Sequence, residues 1–204
     1  MFKFKFIVVI CALVMPFSQS VFAQEIAQAW EVHGTSPADT AKVASIIEAR
    51  FKGIKPHFYN SVSSTLTNNI VTVRFSGWQP ISKQTDFLLH TVGKLRITLE
   101  LRFRERELLL TENDIEDAGF LRNPPQLALR LNDAASKRIT ARAQNMTGQT
   151  IDVIWDGRLV NRLRIAEPLK KDISLTALSE DDAQLMSVVL RTGILPNGAT
   201  LTPR

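Results

Sequence analysis

The sequence predicts an α+β protein: a ferredoxin-like βαββαβ first subdomain, then a second sheet with two packed helices. Three observations carry that expectation. Residues 94–104 alternate Leu95, Ile97, Leu99, Leu101 and Phe103 with Lys94, Arg96, Thr98, Glu100, Arg102 and Arg104. This period of two sets one face of a strand on a core and the other toward water. Ser36-Pro37-Ala38-Asp39 reads as a helix start ahead of Val43, Ile47 and Phe51 at four-residue spacing. Asp156-Gly157 separates two strand-like runs and supplies the positive backbone angles of a two-residue hairpin turn.

Residues 1–23 read as a signal peptide. Lys3 and Lys5 precede an apolar run over residues 6–17, and Val21-Phe22-Ala23 suits a cut before Gln24. The run is shorter than the roughly 20 residues of a spanning helix, and no later run is long enough, so the expected mature chain has no transmembrane segment. Cys11, the only cysteine, lies inside this leader. The mature chain is thus expected to lack a disulfide, a thiol nucleophile and a cysteine metal site. Removing Lys3 and Lys5 with the leader lowers the formal net charge from +5 to +3. So mild a basic balance favours anionic surfaces weakly and calls for no nucleic acid.

The first subdomain is expected over residues 24–112. Residues 26–32 form a strand, and Gly53 ends the helix capped by Ser36. Strands at 57–63 and 69–75 turn at Thr67-Asn68-Asn69, and residues 77–80 break the pattern. A second helix covers 81–92, closed by Gly93, and the alternating run at 94–104 is the last strand. One polar face implies an antiparallel or mixed sheet covered on one side.

The second subdomain is expected over residues 113–204. The acidic stretch at 112–118 reads as one helical turn, and Asn123-Pro124-Pro125 breaks the chain. A strand follows with Leu127, Leu129 and Leu131. Asp133 then caps a helix to Met146, with Ile139, Ala143 and Met146 inward. The hairpin around Asp156-Gly157, a short strand at 173–175, and a helix boxed by Ser179 and Asp182 complete it. That helix carries an apolar stripe of Ala183, Met186, Val189 and Leu190.

Several of these segments, in this order, resemble the extracytoplasmic head domain of SecD, a membrane subunit of the protein-export machinery. They are Thr111-Glu112-Asn113-Asp114-Ile115-Glu116-Asp117-Ala118, Gln126-Leu127-Ala128-Leu129-Arg130-Leu131-Asn132, the hairpin with Asp156-Gly157-Arg158, Glu167-Pro168-Leu169, and Leu190-Arg191-Thr192-Gly193-Ile194-Leu195-Pro196. The first half matches only as a strand-helix alternation. In the family, membrane helices flank this domain. Here a signal peptide is expected in front, and the sequence ends eight residues after Pro196. The family's charged intramembrane residues, linked to proton-driven export, have no counterpart.

The resemblance implies a periplasmic module that contacts exported or unfolded polypeptide, or docks on a translocon-like membrane partner. The alternative is a structural or assembly subunit of an envelope complex that recognises one folded partner. Oligomeric state is left open. The residues suggest no chemistry. His33, His57 and His90 are not paired at ligand spacing, Glu112, Asp114, Glu116 and Asp117 lack calcium-loop spacing, and no nucleophile has a local base. No catalytic residue, metal site or cofactor is therefore expected. The candidate contacts for a polypeptide or partner are Trp155 at the hairpin turn, whose default is buried packing, and the basic stripe Arg158, Arg162 and Arg164, whose ordinary role is edge protection and solubility. An open strand edge in this hairpin could take an extended peptide by strand addition.

Overall fold

The computed structural model describes residues 25–54, 61–76, 83–101 and 105–204; the leader and His57 lie outside them. The chain opens with β1 (Glu25–His33) and α1 (Pro37–Gly53). Ser36 caps α1: its hydroxyl accepts from the Asp39 amide at 3.2 Å and donates to the Asp39 carboxylate at 2.8 Å. Val43, Ile47 and Phe51 are buried. Gly53 does not stop the helix with a left-handed turn. It is the last helical residue, and Ile54 follows in extended backbone. Its missing side chain gives clearance instead, since a Cβ there would lie 2.9 Å from Val188 Cγ1.

The hairpin of β2 (Ser61–Thr67) and β3 (Ile70–Ser76) turns at Asn68 and Asn69, both at positive φ. Residues 57–60 of the expected first strand, and residues 77–82, lie outside the described residues. Next come α2 (Lys83–His90) and β4 (Leu95–Glu100). Leu95, Ile97 and Leu99 are buried, while Leu101 is 36% exposed; residues 102–104 are not described.

The sequence reading missed β5 (Arg106–Thr111), which folds back on β4. It also misassigned the acidic stretch. One 3-10 turn at Glu112–Asp114 is closed by the Asp114 carboxylate, which accepts from the Thr111 amide at 2.9 Å. The rest is β6 (Ile115–Leu121), paired with β7 (Gln126–Leu131). The ladder to β7 satisfies the backbone of residues whose composition favours a turn. The helix expected up to Met146 is two pieces, α3 (Asp133–Thr140) and α4 (Ala143–Met146). Its cap is Asn132, whose side-chain oxygen accepts from the Ala135 amide at 2.9 Å, not Asp133. The Asp156-Gly157 hairpin forms as expected between β8 (Thr150–Trp155) and β9 (Arg158–Arg164), with φ of 47° and 82° at the turn. β10 (Asp172–Leu175), α5 (Glu180–Thr192) and an unexpected β11 (Thr200–Pro203) finish the fold.

The strands make three antiparallel sheets, ordered β11-β1-β3-β2, β10-β7-β6 and β5-β4-β8-β9. The α+β class holds, with one correction. A continuous ferredoxin-like βαββαβ unit over residues 24–112 would seat residues 94–104 beside β1. That seat is taken by β11 from the far end, while β4 leaves for the sheet of β5, β8 and β9. There Ile97 faces Val153 and Leu99 faces Ile151 across the ladder, so β4 buries its apolar face with residues from the other half. Helix α5 packs on β6 and β7 and also reaches α1 and α2. One apolar core runs from Trp30 to Leu201. No helix among the described residues is long and apolar enough to cross a membrane.

Candidate functional site

The β8–β9 hairpin, which carries all four candidate contacts, is anchored at its turn. Asp156 does more than shape that turn. Its carboxylate accepts from Thr91 Oγ1 at 2.5 Å and from the amides of Val92, Gly93 and Lys94 at 3.0, 3.0 and 2.8 Å. Beneath this loop lies Arg50, fully buried. Its guanidinium donates to the carbonyls of Leu88, Thr91, Val92 and Gly193 at 2.7 to 3.3 Å. Arg50 thus gathers the carbonyl-rich C-terminal ends of α2 and α5, where a cation is favoured. Burial pulls its pKa down to about 10, with the Asp156 charge opposing, so it stays cationic at neutral pH.

The four candidates go to different places. Trp155 does not face solvent. It shares the inward phase of Ile151 and Val153 and is 5% exposed. Its indole N–H donates to Thr91 Oγ1 at 2.8 Å, and its ring stacks on Phe87 at 6.4 Å. As a contact for a partner it is therefore corrected to a packing residue. Arg162 lies on the outer face and is held by Asp152 at 2.7 Å; Arg106 grips the same carboxylate at 2.9 Å from β5. The Arg162 hydrogen bond, against desolvation and with help from Arg106, holds Asp152 below the ordinary carboxylate range. Arg158 is exposed beside the turn. Arg164 donates through Nε to the Gly148 carbonyl at 3.0 Å and lines a groove.

That groove is the feature the separate motifs did not reveal. An open cavity of about 490 Å³ lies between β9 and β10, with Leu163, Ile165, Leu169, Ile173 and Leu175 along its apolar wall and Arg164 at its rim. Both flanking strands are terminal strands of their sheets, β9 closing one order and β10 another. Two other terminal strands, β2 and β5, are blunted by side chains. Glu48 accepts from the Ser64 amide of β2 at 3.0 Å, and Arg138 donates to the Leu109 carbonyl of β5 at 3.3 Å. Asn161 bridges the groove at one end: its amide nitrogen donates to the Thr176 and Ala177 carbonyls at 3.0 and 2.9 Å. The sequence reading passed over Asn161. Its signal was a turn-favouring residue inside Arg158-Leu159-Val160-Asn161-Arg162-Leu163-Arg164, where strand formers surround it.

The acidic cluster does not converge. Asp114 pairs with Arg138 at 2.9 Å and Glu116 with Lys171 at 3.4 Å. Of the histidines, His33 meets Thr202 and His90 meets Asp86. Among the described residues no group of three or more histidine, cysteine or acidic side chains is placed to hold a metal ion.

Three antiparallel sheets with their helices make an α+β body whose groove lies between two terminal strands. Residues 98–197 match the family model described as SecDF, P1 head subdomain, a span that begins ahead of the expected residue 113. The protein translocase subunit SecD of Acidaminococcus fermentans is 25% identical over 122 residues, covering 57% of this chain and 29% of that protein. Two solved structures share the fold. One, described as "Structure and function of a membrane component SecDF that enhances protein export", has a TM-score of 0.61 and 14% identity, covering 86% of this chain and 97% of that one. The other, "Crystal structure of SecDF in Super-membrane-facing form", has a TM-score of 0.65 and 16% identity, covering 87% of this chain and 29% of that one. Over residues 98–197 the chain carries a SecD/SecDF head-type domain. It spans less than a third of the curated SecD relative's length.

Proposed function

We propose that this protein is a non-catalytic periplasmic binding module that takes exported or unfolded polypeptide as an added strand between β9 and β10. The observation that carries the reading is the groove itself, with a terminal strand edge on each side and an apolar wall. Edge backbone supplies affinity without reading sequence, and alternate side chains of the guest enter the apolar wall. Arg164 lines the rim and Arg158 opens β9 at the hairpin turn; both are proposed contacts, with Arg162 between them on the outer face. The proposal includes a cleaved leader over residues 1–23. It treats the body as two parts, a β11-β1-β3-β2 layer and a head-type part, and has the module work beside a translocon-like membrane partner.

Fluorescein-labelled peptides of alternating valine and threonine test the reading by anisotropy. They are expected to bind, while the same peptides with alternate backbone amides methylated do not. Arg164→Glu is expected to lower affinity for an acidic-flanked version by roughly threefold or more, most at low salt. Flat titrations with every unmethylated peptide would remove the proposal.

The second reading, a subunit that recognises one folded partner, has its own observation. The outer face of β5-β4-β8-β9 exposes Leu108 (48%) and Leu159 (54%) beside Arg96, Arg106 and Arg162. Stoichiometric co-purification of one envelope protein, lost in Leu108→Glu, would favour it.

A further inference from the structure

Asn161 holds its place through an unusual set of bonds. Its side-chain oxygen accepts from the Arg162 amide at 2.8 Å, on β9. Its side-chain nitrogen donates to the Thr176 and Ala177 carbonyls at 3.0 and 2.9 Å, immediately after β10. The carboxamide thus takes an N–H from one strand and gives N–H to the chain that continues the other, as one peptide unit of an inserted strand would. Two local distortions serve the bridge. The β8–β9 register shifts between Val153 and Ile154, so that Val160 is the extra residue on β9 just before Asn161; a bulge of this kind re-aims the neighbouring side chain. Ala177 adopts φ 56°, a conformation non-glycine residues seldom take, which points its carbonyl alongside that of Thr176.

We propose that Asn161 is a built-in plug of the binding groove, a side-chain amide standing in for the first peptide unit of an incoming strand and displaced when polypeptide binds. This rests on the strand-addition reading and adds regulation of that same site. The plug keeps two sticky edges from capturing another copy, and it sets the register of the guest, with one guest peptide group between Arg162 and Thr176. An incoming carbonyl takes the Arg162 N–H, an incoming N–H takes the freed carbonyl, and Ala177 loses the contact that holds its left-handed backbone.

The test uses the full chain and the alternating valine-threonine peptide. Asn161→Ala removes the competitor and is expected to bind roughly 3- to 10-fold more tightly, the scale of one or two net hydrogen bonds no longer broken. Asn161→Asp keeps the acceptor for Arg162 but sets a carboxylate against two carbonyls, and is also expected to tighten binding. Amide exchange at Arg162 should quicken in Asn161→Ala without peptide and slow again when peptide is added. If the parent binds peptide but both variants bind equally or more weakly, the plug is overturned while strand addition stands. If neither parent nor variants bind, both fall.

Discussion

Asp156 shows how one residue can serve two levels of structure. Its backbone takes the first left-handed position of the turn, while its carboxylate collects the loop between α2 and β4. Replacing it separates the two. Asp156→Asn keeps a residue suited to the turn but forfeits the charge. It is expected to cost about 1–3 kcal/mol in denaturant unfolding, whereas Gly157→Ala, which meets no atom within 4 Å, is expected to cost about 1 kcal/mol through backbone strain alone. Equal costs would argue that the carboxylate contributes nothing beyond the turn. Only the turn was legible in the sequence. The four groups that Asp156 binds lie more than 60 residues away, and local pattern carries no information at that distance.

At the scale of elements, sheets are tied by charge as well as by ladders. Asp152 on β8 is clasped by Arg106 from β5 and Arg162 from β9, bridging three strands on the outer face. Its pKa is lowered in the folded state, so the stability it contributes is present above the usual carboxylate value of 3.8 and lost as pH falls through the lower folded value. Asp152→Asn is therefore expected to unfold more easily at neutral pH, and to lose less further stability than the parent below about pH 4. Parallel acid limbs in the two unfolding profiles would contradict this. The basic stripe was readable as spacing. That Arg162 would be occupied by an acid ten residues back depended on the hairpin register, which Asp156-Gly157 fixed, and on the bulge at Val160, which it did not. The acidic stretch after Thr111 shows the opposite failure: composition suggested a turn, and pairing with β7 made most of it a strand.

Over the whole molecule, the two ends of the body meet. β11 lies against β1, with Leu201 buried and Arg204 paired with Glu31 at 2.7 Å. Leu201→Ala is expected to destabilise the protein by about 2–3 kcal/mol, near the low end for a buried leucine because the strand is short and at a sheet edge. Hydrogen exchange should quicken along β1 more than along β8. Uniform acceleration across both would mean that the sheets unfold only together.

The sequence by itself determined the class, the caps at Ser36 and Ser179, the hairpin at Asp156-Gly157, the alternating apolar face of β4 and the family resemblance of the second half. Each is written in residues within a few positions of one another, where propensity and periodicity act. Tertiary structure alone decided that β11 rather than β4 sits beside β1, that Trp155 turns inward, and that β9 and β10 face each other across a groove bridged by Asn161. Those outcomes depend on which surfaces bury one another across the chain, and burial is a property of the assembled fold.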